Sequence, residues 1–233
     1  MGVCYATGVI GTPIHELSHL VMCIVFGHRI NEVSLFRIGN DGVLGYVNHS
    51  YNKKNIYQKV GNYFIGIAPI VLGGLVLLLL MNWLMPYTYG RFSAYIGAFV
   101  RMQQGGVGMD WFPDTLNIMR SMISAFFNGL GKDSLWVVFF ILAFCIALHV
   151  NLSGADIKGS LGALPWLIGI ILAVNLALGL IFDGVYRSFV RVMCTAGGYI
   201  AAMLLISLIF SLFLLVIALA VKGVIAIPKM IKK

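Results

Sequence analysis

The chain has 233 residues, 60% of them hydrophobic and only 10% charged, with a mean hydropathy of +0.95. A soluble domain carries roughly 45–50% apolar and about 25% charged residues, so a soluble globular protein is excluded and an all-α polytopic membrane protein is expected. The net charge of +8 comes from Lys and Arg that flank apolar stretches. That placement points to orientation in a lipid bilayer and away from nucleic acid.

A hydrocarbon core asks for roughly 20 apolar residues per helix, and about five stretches meet this, near 3–26, 60–85, 134–152, 162–182 and 192–221. The first ends at Gly27, a residue suited to a helix stop. It lacks a basic leader region, so it is expected to remain as a span. Within it lies His15-Glu16-Leu17-Ser18-His19. Residues four apart share a helix face, so two histidines so spaced can grip one metal ion while the adjacent glutamate activates a water. Ionisable groups inside a membrane span are costly and mark function by default. Only two glutamates and five histidines occur in the whole chain, which makes an accidental motif here a poor explanation.

Residues 30–50 read as two short strands around a turn at Asp41-Gly42, a β-hairpin directly after the first span. Its plain reading is a surface loop; its functional reading is an edge on which an extended peptide could align. The segment 87–133 is mixed, and Phe112-Pro113-Asp114-Thr115 followed by Leu116, Met119, Met122, Ile123 and Phe126 suggests an amphipathic interfacial helix. Trp83, Tyr87, Tyr89 and Trp111 look like interface aromatics. The four cysteines (Cys4, Cys23, Cys145, Cys194) are scattered without a CxxC spacing and are expected to be buried thiols.

With five alternating spans, ten of the sixteen Lys and Arg fall on the hairpin side. The excess of positive charge on the cytoplasmic face then puts the N-terminus outside and the C-terminus in the cytoplasm. A hydrolytic zinc site uses three protein ligands and one open position. Of the remaining acids and histidines, only His149 and Asp156 stand at a helix end on the hairpin side, within Leu148-His149-Val150-Asn151-Leu152-Ser153-Gly154-Ala155-Asp156. Asp156 is the first choice for the third ligand and His149 the runner-up.

These blocks resemble the site-2 proteases, a family of intramembrane zinc metalloproteases. The likeness rests on His15–His19 with the hairpin that follows, on Gly66-Ile67-Ala68-Pro69 at the start of the next span, and on Asn151 to Gly159. It covers residues 5 to about 160, leaving 161–233 as additional transmembrane helices. The prolines of the family's third block are absent, and Asn151 stands closer to Asp156 than in the family pattern. The resemblance implies Zn²⁺ held by His15, His19 and Asp156, with Glu16 as the catalytic base. His149, Asn151 and Ser153 are then expected as supporting or substrate-binding residues. The substrate would be a transmembrane or membrane-associated protein. Rival readings are an interfacial membrane metallopeptidase and a zinc-binding scaffold without activity.

Overall fold

The computed structural model describes residues 2–39, 42–104, 110–181 and 183–231. Seven helices and one two-stranded sheet follow in the order α1 (Gly2–Val25), β1 (Arg29–Ser34), β2 (Tyr46–Ser50), α2 (Ile56–Leu84), α3 (Pro86–Gln104), α4 (Trp111–Gly129), α5 (Trp136–His149), α6 (Gly154–Ile181) and α7 (Asp183–Ile231). Among the described residues, four helices are long and apolar enough to cross a membrane: Cys4–Val25, Ile56–Leu84, Gly154–Leu180 and Val185–Leu212. The expected third span, 134–152, is the shorter apolar helix α5, with 14 residues. At 1.5 Å per residue such a helix reaches ~21 Å, less than a ~30 Å hydrocarbon core. The chain leaves helical geometry at Val150–Ser153 and α6 begins at Gly154, well before the expected start near 162.

The ends of α1 and the start of α2 are tied together by polar groups. α1 stops because Gly27 takes a positive φ of 65°. The N–H groups of Gly27 and His28 turn back to the carbonyls of Ile24 (3.1 Å) and Cys23 (2.9 Å), closing the helix in a Schellman motif. Tyr57 on the first turn of α2 donates its hydroxyl to the Val25 carbonyl at 2.8 Å, and Gln58 donates Nε2 to the Gly27 carbonyl at 2.6 Å. The Asn55 side chain caps α2 by accepting from the N–H groups of Tyr57 and Gln58.

The strands pair antiparallel, with Val33 opposite Val47 and Ile30 opposite His49, and a bulge between Ile30 and Glu32. The sequence places strands nearer the turn, at 30–38 and 43–47. The ladder stops at Ser34 because Phe36 and Leu44 turn onto α1, where they approach Gly8. The Arg37 N–H still bonds the Leu44 carbonyl at 2.7 Å. Residues 40 and 41, half of the expected turn, lie outside the described residues.

Helix α2 is central and packs against α1, α3, α5, α6 and α7. The apolar core lies toward its C-terminal half, where Leu77, Met81 and Met85 meet Phe92 and Ile96 of α3, Met122 and Phe126 of α4, Phe139 of α5 and Ile206 of α7. α4 is amphipathic: Met122, Ala125, Phe126 and Gly129 are buried at helical spacing while Asn117, Arg120, Ser124 and Asn128 are exposed; Leu116, expected on the apolar face, is exposed too. The outward face of α6 shows Leu172, Leu176 and Leu180, as a lipid-facing helix should. Cys23 and Cys145 are buried, whereas Cys4 is exposed on the first turn of α1 and Cys194 is half-buried.

Asp133 is buried because it serves as a distant cap. Its Oδ1 accepts from the Tyr87 N–H at 3.0 Å, and its Oδ2 accepts from the Thr88 N–H (3.1 Å) and hydroxyl (2.6 Å). A carboxylate at the start of α3 thereby meets donors that the helix itself leaves unpaired. Asp133→Ala should lower stability by about 2 kcal/mol through loss of these bonds, and Asp133→Asn should recover part of it. Thermal unfolding in detergent measures this; an unchanged midpoint in the alanine variant would show that the cap is dispensable.

Candidate metal centre

His15 and His19 lie on successive turns of α1 with ring centroids 4.8 Å apart, and Asp156 on the first turn of α6 comes to meet them. Their ligand atoms all lie within 4.8 Å of one another. His19 Nε2 stands 3.3 Å from Asp156 Oδ1, and His15 Nε2 stands 3.9 Å from Oδ2. The two Nε2 atoms are 3.1 Å apart.

The ring orientations follow from two backbone carbonyls. His15 Nδ1 lies 2.8 Å from the His149 carbonyl, and His19 Nδ1 lies 2.8 Å from the Ile65 carbonyl. A carbonyl only accepts, so both Nδ1 atoms carry hydrogen and, in the neutral rings, both Nε2 atoms present lone pairs. Two lone pairs converging beside a carboxylate form a site for a cation, and the N,N,O donor set suits zinc.

Each carbonyl is available for a definite reason. The Ile65 carbonyl would normally accept from the N–H four residues on, but that residue is Pro69, inside α2, which has none. His149 is the last residue of α5, where carbonyls have no partner within the helix. The family-like block around Pro69 therefore supplies a hydrogen-bond acceptor for a metal-facing histidine.

Asp156 is held by a reciprocal cap. Its Oδ2 accepts from the Ser153 N–H at 2.8 Å, while Ser153 Oγ accepts from the Asp156 N–H at 3.2 Å. This is the capping box of a helix start, in the form Ser-x-x-Asp. Ser153 thus touches Asp156 and positions its carboxylate. The His149 ring, the runner-up ligand, instead meets Thr7 Oγ1 through Nε2 at 3.0 Å and Thr12 Oγ1 through Nδ1 at 3.4 Å. It reaches the site through its backbone carbonyl. Asn151 is exposed and lines a cavity of about 250 Å³ between α2, α5 and α7, with Ile70, Leu77, Val150 and Ser207 among its walls.

Glu16 is 7% exposed. The segment leading into β2 lies against it: a Cβ at Gly45 would fall 2.8 Å from Glu16 Cγ and 2.8 Å from Thr12 Cγ2. Only glycine lets the hairpin come this close to the motif helix. Glu32, the other glutamate, bonds the Tyr46 hydroxyl across the strands, and this bond holds that phenol above its ordinary pKa. His28 and His49 pair with one another, Nδ1 to Nδ1 at 3.0 Å, and are not part of the His15–His19–Asp156 group. Burial, and then the neighbouring His28, hold the His49 imidazole below its usual range.

Residues 8–121, just under half of the chain, match the model of the family DUF3267, described as "Putative zincin peptidase". The matched stretch contains both histidines and Glu16 and ends before Asp156. It supports a zinc-peptidase-like family and a zinc metallopeptidase as the class of protein, and it does not single out the site-2 proteases. No curated protein and no solved structure matches the chain.

Pro69→Ala restores the N–H that competes for the Ile65 carbonyl. It should weaken zinc binding about 10-fold or more, the usual cost of losing a partner of a liganding histidine. Competition with a chromogenic chelator measures this. Unchanged affinity would mean that the carbonyl does not orient His19.

Proposed function

We propose that this protein is an intramembrane zinc metalloprotease that hydrolyses peptide bonds of transmembrane or membrane-associated proteins. The observation that carries the reading is the place of the His15–His19–Asp156 cluster and Glu16 within apolar helices long enough to span a bilayer. His19 precedes the last residue of α1 by six positions, or ~9 Å along the axis. That depth lies inside the apolar window yet near the basic hairpin end, from which water can be supplied. The family match over residues 8–121 supports the peptidase class.

His15, His19 and Asp156 would hold Zn²⁺. The ion supplies Lewis acidity toward a scissile carbonyl and makes water acidic enough to lose a proton near neutral pH. Glu16, beside the cluster and shielded from bulk solvent, is placed to take that proton and return it to the leaving amine. The carbonyls of Ile65 and His149 keep both imidazoles in the tautomer that binds metal. Thr7 and Thr12 fix the α5 end that provides one of these carbonyls. A peptide bond in a helix is shielded by its own hydrogen bonds, so the substrate must be locally extended before attack. The exposed edge of the hairpin and the non-helical stretch at Asn151 are the places where an extended segment can find backbone partners. Although α5 is short, it returns the chain to the hairpin end, where Asp156 meets His19, so the loop charges keep their count and favour a cytoplasmic hairpin end with the N-terminus outside.

A second reading is an interfacial metallopeptidase acting on juxtamembrane or soluble peptides. The hairpin that covers Glu16 favours it to the extent that this cover lies outside the spans. Purified protein reconstituted in liposomes with a panel of tagged single-span peptides separates the two. Cleavage sites mapped by mass spectrometry should fall within the apolar segment; sites confined to flanking residues would favour the interfacial enzyme. Glu16→Gln should retain zinc while losing at least ~10³-fold in rate, in line with loss of a general base together with its electrostatic role. Retained cleavage would overturn the mechanism.

A further inference from the structure

A second group of soft donors lies at the end of α1, outside the cluster already described. Cys23, His28 and His49 bring one sulfur and two imidazole nitrogens within 4.8 Å of one another. Cys23 is fully buried and His28 is 6% exposed. Three separate elements deliver them. Cys23 is on the last turns of α1, and the Schellman motif at Gly27 folds His28 back until its N–H bonds the Cys23 carbonyl at 2.9 Å. His49 comes from β2, carried in by its pairing with Ile30.

The geometry again fixes a tautomer. His28 Nε2 lies 2.8 Å from the Gln58 carbonyl, so it carries hydrogen and the neutral ring turns its Nδ1 lone pair inward. There it faces His49 Nδ1 at 3.0 Å. A carbonyl that orients an imidazole whose free nitrogen points at a second imidazole and a thiol is the arrangement of a metal-binding histidine. It repeats, with different residues, what Ile65 and His149 do for the first cluster. Tetrahedral zinc with bonds of about 2.0–2.3 Å sets its ligand atoms roughly 3.5 Å apart; the two imidazole nitrogens stand 3.0 Å apart and the Cys23 sulfur lies within 4.8 Å of both. Tyr51 stacks on the His28 ring at 5.1 Å and closes one side. A cleft of about 290 Å³ is lined by Gly27, Arg29, Ser50, Tyr51, Asn52 and Gln58, the chain neighbours of both histidines among them.

We propose that Cys23, His28 and His49 form a second zinc site that fastens the hairpin to the C-terminal end of the motif helix. One thiolate and two imidazoles select a borderline-soft ion such as Zn²⁺ over Mg²⁺ or Ca²⁺. Binding replaces the thiol proton of Cys23, which is released to solvent, with a sulfur–metal bond. The site clamps β2 to α1 at one end of the ladder, while Gly45 lies over Glu16 at the other. Its role is positional.

The full-length protein, purified in detergent, is loaded with zinc chloride, desalted and assayed for metal by mass spectrometry. Wild type should hold two zinc ions per chain. Cys23→Ser should hold one, as should the His15→Ala/His19→Ala double variant, and the two losses should add. The double variant loaded with cobalt(II) should show a near-ultraviolet thiolate-to-cobalt charge-transfer band that disappears when Cys23→Ser is added. One zinc in wild type, undiminished by Cys23→Ser, would overturn the proposal. So would a cobalt-loaded double variant without the thiolate band, a result that does not require the Cys23→Ser chain to fold. Failure of the first site shows differently: its zinc would be missing while the Cys23-dependent ion and band remain.

Discussion

The site depends on two carbonyl groups that helices would ordinarily have consumed. A membrane leaves no water to satisfy a backbone oxygen, so a helix normally keeps every carbonyl paired within itself. Here Pro69 withholds the donor for Ile65, and the end of α5 strands the carbonyl of His149. Both oxygens then find the Nδ1 hydrogens of the two motif histidines at 2.8 Å. One arrangement meets two needs: the carbonyls are satisfied, and both Nε2 atoms are aimed at a common point. A soluble protein could have left these oxygens to water and oriented its histidines with carboxylates instead. In apolar surroundings an extra buried carboxylate is costly, and a broken helix is the cheaper source of an acceptor.

The same logic explains why α5 is short and α6 starts early. Irregular backbone at membrane depth is tolerated where it is buried in protein or lines a cavity. The interruption at Val150–Ser153 meets this condition: Val150 is buried, Asn151 lines a cavity, and Ser153 spends its N–H and hydroxyl on Asp156. A single continuous span through this region would have put Asp156 on a helix interior with its carboxylate unsupported. Breaking the chain turns it into the third residue of a new helix, where a carboxylate is welcome to both the capping N–H and the helix dipole.

What could be read from the sequence divides along the range of the interactions. His15, Glu16 and His19 were legible because their relation is one helical turn, and the amphipathic α4 because its period is local. Asp156 came from elimination and resemblance. Its setting is not legible from hydropathy, because Asp156 and Lys158 interrupt the apolar run and put the expected start of α6 at 162. The Ser153-Gly154-Ala155-Asp156 box, a local signal, would have moved it back. The strand ends differ from the sequence pattern because Phe36 and Leu44, apolar residues that fit a strand run, are used against α1, a tertiary demand that no alternation pattern records. The acceptor role of Ile65 required knowing which helix faces His19; a proline in an apolar span announces a free carbonyl but not its partner. His149 behaved as a helix-end residue whose backbone matters more than its ring.

The hairpin is where fold and chemistry meet outside the spans. Two strands alone are marginal in water, and this pair is held chiefly by what lies at its ends. At one end Leu44 and Phe36 reach Gly8, and Gly45 lies against Glu16 and Thr12. At the other, His49 meets His28 and Gln58 bonds Gly27. A lid fixed at both ends cannot swing clear of Glu16 as a rigid flap. On the proposed function, an extended substrate would then enter along the exposed strand edge or from the Asn151 side. Asn151 there lines a cavity of about 250 Å³, room that a continuous span through Val150–Ser153 would have filled.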